Sequence, residues 1–371
     1  MLGGIAAVLV LLGICAFLFF KSARFGRLPQ GERLARIEQS PHYRDGSFHN
    51  LTPDEHKPDT AERRQSGSRI WGLIKFAFRQ IEGAKPIDEL PVVKTDLKSL
   101  DRNTNLFVWF GHSSYMVQAD GKRFVVDPVF GSAAPVSFFK TPFKGTKVYK
   151  AADLPDIDYL IITHDHWDHM EYQTIMEIKD RVKKVVCGLG IGEHLERWGF
   201  PASQVVELDW HESATLENGV QIHCLPARHY SGRSLERNKA LWASFLIQTA
   251  NQKIYAGGDS GYDTFFKDIG DRFNGVDLAF IENGQYNIAW QHIHIMPDKL
   301  AQTARDLRAK KVLTTHNSRF ALGKHHWKEP YANSLQLREK DSIDCIIPMM
   351  GQVVHYTDSV SVVNKWWEGL E

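Results

Sequence analysis

The sequence predicts a strand-rich α/β fold behind an N-terminal helix that crosses a membrane, and three observations lead there. From about Asn105 onward, short apolar, β-branched runs recur, with helical stretches such as Pro297 to Ala309 between several of them. Leu2 to Phe20 is an unbroken run without a charged residue, close to the roughly 20 residues a helix needs to cross a hydrocarbon core. One apolar run, Ile161-Ile162-Thr163, leads straight into His164-Asp165-His166-Trp167-Asp168-His169, crowding imidazoles and carboxylates where a strand gives way to a loop.

In chain order, residues 1–21 are the anchor. Only Met1 precedes the apolar stretch and Phe19-Phe20-Lys21 closes it, so it lacks the positive leader and small-residue cleavage site of a secretory signal and is read as retained. Lys21, Arg24, Arg27, Arg33 and Arg36 follow. Positive charge tends to stay inside, which places the body of a single-pass cell-membrane protein in the cytoplasm. Residues 22–100 read as a connector, polar up to about Ser68, with Pro53-Asp54-Glu55 and Arg63-Arg64. Across 68–82, polar Ser68, Gly72, Lys75, Arg79 and Glu82 recur at three and four among Ile70, Trp71, Leu73, Ile74, Phe76, Phe78 and Ile81. That spacing predicts an amphipathic helix, docked on the next domain or lying in a membrane interface.

Residues 101–371 read as one further domain, the strand-rich α/β body. With 371 residues and 43% hydrophobic content, the chain can bury one large core or two modest ones, since single domains run from about 100 to 250 residues. A formal net charge of +1 provides no global basic field, so no nucleic-acid partner is expected. Cys15, Cys187, Cys224 and Cys345 form no Cys-x-x-Cys pair and no disulfide framework, as in a reducing compartment. Strands are expected at Leu106 to Trp109, Tyr115 to Gln118, Phe124 to Val126, Tyr159 to Thr163, Lys184 to Cys187 and Val220 to Leu225. Further strands are expected at Ser244 to Gln248, Lys253 to Ala256, Leu278 to Ile281, Lys311 to Thr315 and Asp344 to Ile347.

The run from His164 to His169 suits zinc, which takes imidazole nitrogen and carboxylate oxygen, and its four side chains could serve two ions. Such a site needs ligands from other strand ends. His229 follows the strand ending at Leu225, Asp259 follows Lys253 to Ala256 within Gly257-Gly258-Asp259-Ser260-Gly261, and His316 follows Lys311 to Thr315. Asp127, ahead of Pro128, is expected to accept a hydrogen bond from a ligand imidazole or else to cap a turn, and His112 in Gly111-His112-Ser113-Ser114 falls in the neighbourhood. Gly258-Asp259-Ser260-Gly261 also looks like the nucleophile segment of trypsin-like serine proteases. Tyr262 stands where those have a second glycine, and no Ala-Ala-His-Cys segment accompanies it, so a triad on Ser260 is set aside.

These residues resemble the metallo-β-lactamase superfamily, which implies a four-layer αββα sandwich with ligands along one edge. By that resemblance His164, His166 and His229 hold one zinc, Asp168, His169 and His316 a second, and Asp259 bridges the two. A narrower resemblance is to the N-acylphosphatidylethanolamine-hydrolysing phospholipase D family. It is carried by Tyr43-Arg44-Asp45-Gly46-Ser47-Phe48-His49-Asn50, Trp109 to Ser114, Val126 to Phe130, Gly257 to Tyr262, His294-Ile295-Met296-Pro297 and Thr315 to Leu322. It implies two Zn2+ per chain, a phospholipid substrate at a membrane, and hydrolysis to phosphatidic acid and an N-acylethanolamine by hydroxide held between the metals. Asp168 and His294 are implied as catalytic, His294 contacting the phosphate or aiding departure of the alcohol. Asn317 stands where the animal enzymes have Trp, and Asn283-Gly284-Gln285-Tyr286 is only partly alike, which bears on the acyl-chain pocket and the head group. The alternative is a zinc lactonase or phosphoesterase acting on a soluble metabolite.

Overall fold

The apolar runs form two seven-stranded sheets packed face to face. The computed structural model describes residues 2–53 and 81–371, with side chains of the first helix given at Ile5 and from Val8 onward. Before the sheets come helix α1 (Leu2–Lys21), helix α2 (Gly31–Glu38) and a small hairpin of β1 (Tyr43–Arg44) and β2 (Ser47–Phe48). The first sheet contains β3 (Leu106–Trp109), β4 (Tyr115–Ala119), β5 (Lys122–Val126), β6 (Ile157–Ile162), β7 (Val182–Gly188) and β8 (Val205–Leu208). The second contains β9 (Ser213–Thr215), β10 (Gln221–Leu225), β11 (Ser244–Gln248), β12 (Lys253–Ala256), β13 (Val276–Glu282), β14 (Ala309–Thr315) and β15 (Cys345–Ile346). The last strand, β16 (Val353–Val354), returns to pair with β3 at the edge of the first sheet.

Alternation along the strands sorts side chains between two cores. From β3, Phe107 and Trp109 point between the sheets, while Leu106 and Val108 point outward. Between the sheets, Tyr115 stacks on Phe280 with ring centres 3.7 Å apart. On the outer face of the first sheet, Val125, Leu160 and Ile162 meet Ile175 and Ile178 of α3 (Tyr172–Ile178) and Leu195 of α4 (Gly192–Arg197). The second sheet is covered by α5 (Phe265–Phe273), α6 (Pro297–Asp306) and α7 (Glu329–Glu339), which bury Phe266, Ile269, Leu300 and Leu337. The layers are therefore αββα, as expected.

Strand direction decides where a site can form. In the first sheet β4 is antiparallel to both β3 and β5, and β6 is parallel to β5, so β3, β5 and β6 run the same way. In the second, β11 is antiparallel to β10 and β12, and β13 and β14 are parallel to β12. The carboxyl ends of these strands carry the loops of one edge, as in open α/β sheets generally.

Two expectations for the N-terminal region change. Helix α1 forms and exposes Val8, Leu9, Val10, Leu11, Leu12, Ile14, Phe17 and Leu18. Among the described residues, however, no helix is long and apolar enough to cross a membrane. Beyond α1, the two basic residues of α2 face protein carboxylates: Arg33 meets Glu193 at 2.6 Å, Glu196 at 2.5 Å and Glu207 at 2.6 Å, and Arg36 meets Glu212 at 3.0 Å. Residues 22–50, read as connector, are thus in part seated on the α/β body, with Phe25, Ile37 and Phe48 buried. The amphipathic helix expected over 68–82 lies, but for its last two residues, outside the described residues.

Candidate metal centre

β6 delivers the His164 to His169 loop, and the neighbouring strand ends deliver the rest. His112 follows β3, Asp127 follows β5, His229 lies beyond β10, Asp259 beyond β12, and His316 directly follows β14. Three of these turns are tight enough to hold non-glycine residues in the left-handed region: His112 at φ 52°, Asp127 at φ 41° and His316 at φ 65°. Such conformations are unfavourable for residues with a Cβ and persist where surrounding contacts over-determine them. Gly258, at φ 60°, shows the converse. A Cβ there would meet the Cβ of Thr163 at 2.8 Å, so glycine lets the Asp259 loop pass against the β6 loop.

The side chains converge in two adjoining donor sets. In the first, His166 Nδ1 lies 2.9 Å from His164 Nε2 and 3.2 Å from His229 Nε2. Nitrogens about 2.0 to 2.1 Å from a tetrahedral zinc would stand about 3.3 Å apart, close to these separations. In the second, His316 Nε2 is 3.4 Å from Asp168 Oδ2, and His169 Nε2 is 3.7 Å from the same oxygen. Asp259 reaches both sets: it lies 3.2 Å from His169 Nε2 and 3.1 Å from His316 Nε2, and 3.7 Å from His229 Nε2 and 3.9 Å from His164 Nε2. All seven residues expected as ligands are therefore brought together, with Asp259 between the sets.

The surroundings fix which nitrogen of each ring faces inward. His169 Nδ1 lies 2.8 Å from Asp127 Oδ2, and Asp127 also accepts from the Thr163 amide and hydroxyl. His229 Nδ1 donates to the Ile293 carbonyl at 2.9 Å, and Asn50 brackets the His229 backbone by bonding both its amide and its carbonyl. His112 Nε2 contacts Asp168 Oδ2 at 3.0 Å, so the structure places His112 directly on an expected ligand.

Charge states follow from burial and neighbours. Burial, then the crowding of other imidazoles, drives His164 well below the ordinary histidine range, and burial likewise lowers His166 and His229. Burial and the nearby His316 push His112 down to about 3. Burial opposes ionisation of Asp168 and Asp259, but the surrounding imidazoles overcome it and hold both well below the carboxylate range. Neutral imidazoles and ionised carboxylates are the forms a cation binds; His169 is the exception, since Asp259, Asp168 and Asp127 outweigh its burial and raise it well above the ordinary histidine range, so a cation there would take the place of its proton. Among the described residues, His169 Nε2 and Asp259 Oδ1 are buried with no hydrogen-bond partner other than their own 3.2 Å approach. Orphaned donors of this kind, facing one another within a nitrogen and oxygen set, fit a pair of divalent cations.

Several contributors carried no signal in the sequence. Glu282, the last residue of β13, is buried, lies 3.0 Å from His294 Nδ1 and accepts from the Ile295 amide. Its own burial raises its pKa, while it and the two site carboxylates outweigh burial and raise that of His294. The His294 ring stands 5.1 Å from His229 and 5.4 Å from His316. Arg233 is buried, and its hydrogen bonds among the described residues go to backbone carbonyls. It donates to the carbonyls of Asp165, Met170 and Arg24 and lies over the Trp167 ring at 4.1 Å. Burial lowers its pKa to about 10. Phe25 packs edge-on against Trp167 at 5.1 Å. Arg233 and Phe25 together tie the segment after α1 to the loop bearing His166, Asp168 and His169.

Residues 122–317 match the beta-lactamase superfamily domain. A Mycobacterium tuberculosis protein is 33% identical over 335 residues, 89% of this chain and 88% of its own length. N-acyl-phosphatidylethanolamine-hydrolyzing phospholipase D 1 of Caenorhabditis elegans is 33% identical over 252 residues, 63% of this chain and 70% of that protein. The solved structure of Igni18, a metallo hydrolase of the archaeon Ignicoccus hospitalis, superposes with a TM-score of 0.51 at 21% identity, covering 68% of this chain and 98% of that one. With the sandwich and its edge of imidazoles and carboxylates, these likenesses make the chain a member of the metallo-β-lactamase superfamily, in the branch that holds the N-acyl-phosphatidylethanolamine-hydrolyzing phospholipase D proteins.

Proposed function

We propose that this metallo-hydrolase is a zinc phosphodiesterase of the phospholipase D type, cleaving N-acylphosphatidylethanolamine to phosphatidic acid and an N-acylethanolamine. The observation that carries this reading is the pair of donor sets sharing Asp259, with the His294–Glu282 pair beside them. The name of the Caenorhabditis elegans relative supports the substrate class.

His164, His166 and His229 would hold one cation and Asp168, His169 and His316 the other, with Asp259 common to both, and together the cations would supply Lewis-acid polarisation of the phosphoryl oxygens and a water of lowered pKa. The chain's own groups supply the rest. Asp127 fixes the tautomer of His169, and the Ile293 carbonyl fixes that of His229. Hydrolysis forms one oxygen–phosphorus bond from water and breaks the bond to the ethanolamine oxygen, which leaves needing a proton. His294, with Nδ1 engaged by Glu282, has Nε2 available to donate it. His166 and Asp168 are the less buried members of the set and mark the side on which the site opens. The exposed apolar side chains of α1 support work at a lipid surface.

The reading is tested with zinc-loaded full-length protein and vesicles containing N-acylphosphatidylethanolamine, with products identified by mass. Equimolar N-acylethanolamine and phosphatidic acid are expected. Turnover confined to soluble lactones or phosphoesters would establish the alternative substrate class instead.

A further inference from the structure

A cavity of about 520 Å³ lies away from the donor sets, between the end of α1 and the back of the metal-site loop. Its walls carry five cationic residues, Lys21, Arg27, Arg197, Arg233 and Lys239, and two carboxylates, Asp165 and Glu236. The whole chain balances 45 basic against 44 acidic residues, so this excess is local. Both carboxylates are engaged. Asp165 accepts from the Gly232 amide at 2.7 Å and lies 3.4 Å from His194 Nε2, and Glu236 stands 3.7 Å from Lys239.

Arg233 spends its guanidinium on backbone carbonyls and Lys239 bonds the Gly46 carbonyl, but Lys21, Arg27 and Arg197 are less fully used. Arg197 gives one nitrogen to the Lys21 carbonyl at 3.0 Å, and neither Arg197 nor Lys21 has a carboxylate partner among the described residues. Arg27 commits only Nε to Glu193, leaving its terminal nitrogens. The opposite wall is apolar, with Phe17, Phe20 and Phe25, and it continues into the exposed apolar side chains of α1. Forked guanidinium donors are suited to phosphate oxygens, and the aromatic wall is suited to the start of an acyl chain.

We infer that this cavity binds the phosphate head group of an anionic phospholipid, apart from the metal site and beside the helix whose apolar surface faces outward. The site would seat the protein on an acidic lipid surface and orient the catalytic edge, and it requires no turnover, so it stands or falls separately from the phosphodiesterase reading.

The test is calorimetric titration of the metal-loaded full-length protein with a short-chain phosphatidylglycerol kept below its micelle-forming concentration. One saturable site per chain is expected. The double variant Lys21→Gln/Arg197→Gln should weaken it by roughly tenfold or more, from the usual contribution of each cation near an anionic lipid, with an unchanged thermal melt. The charge-preserving Lys21→Arg/Arg197→Lys variant should bind within a few-fold of the parent and guards against misfolding as the cause. Unchanged affinity in the Gln variant would overturn the proposal, since the lipid would then be held elsewhere, including at the metal site. Inorganic phosphate binding as tightly as the lipid would overturn the lipid assignment.

Discussion

Glu282 closes β13 with both oxygens occupied, one facing His294 Nδ1 and one accepting from the Ile295 amide. Its role is to hold His294 in one tautomer and orientation, so Glu282→Gln should act on turnover more than on binding. A fall in kcat of about 10- to 100-fold is expected, the usual consequence of losing a supporting carboxylate, with KM changed little and the melting temperature nearly retained. Steady-state kinetics on the vesicle substrate with a parallel melt checks this, and an unchanged kcat would remove His294 from the reaction. At this scale the ligand residues were legible because each is a histidine or aspartate just beyond an apolar run. Glu282 was not, because it is the last residue of its strand rather than a residue beyond it, and Asn50 and Arg233 were not, because their partners lie far away in sequence. Asn50 meets His229 across 179 positions, and Arg233 meets Arg24 across 209.

The segment after α1 is a structural part of the metal-site edge. Trp198 Nε1 donates to the Ala23 carbonyl, Arg233 bridges Arg24 to Asp165 and Met170, and Phe25 fits against Trp167. Phe25→Ala should lower stability by about 3 kcal/mol, as for a buried aromatic removed from a packed site, and should speed loss of zinc to a chelator. Denaturant titration and chelator-release kinetics measure the two effects. A stability loss with unchanged zinc release would show that the clamp does not reach the loop. Strands were readable where both faces are buried, as in β6, whose six residues are all buried. Strands β8 and β9 escaped notice because they form sheet edges with partly exposed residues, so neither a continuous apolar run nor clean alternation marks them. Residues 22–50 read as connector because their order comes from ion pairs and from Phe25, Ile37 and Phe48, and the one helix among them, α2, is only eight residues long.

Across the whole molecule, the two sheets bring one set of strand ends to a single edge, and charge networks lock the remaining surfaces. Asp158 is a buried carboxylate outside the site edge that meets two cations, contacting Arg102 and lying 2.9 Å from both Lys183 Nζ and the Arg123 amide. Burial alone would raise its pKa, but these partners outweigh it and hold the carboxyl below its ordinary value. The folded state therefore binds this proton less readily than the unfolded chain. Its stabilising contribution is present above about pH 4, the unfolded value, and is lost as the pH falls through the folded value. Asp158→Asn should cost about 1 to 3 kcal/mol at pH 7, and the difference from the parent should shrink toward zero on acidification. Urea titrations of both proteins at neutral and acid pH test this, and a difference independent of pH would assign the effect to packing.

In the proposed centre Asp259 joins two cation sites, and metal analysis of the zinc-loaded, gel-filtered protein beside Asp259→Asn tests it. About two zinc ions per chain are expected in the parent, as in dinuclear hydrolases, and at most about one, with turnover abolished, in the variant. Fewer than two in the parent, or two retained with full turnover in Asp259→Asn, would contradict it.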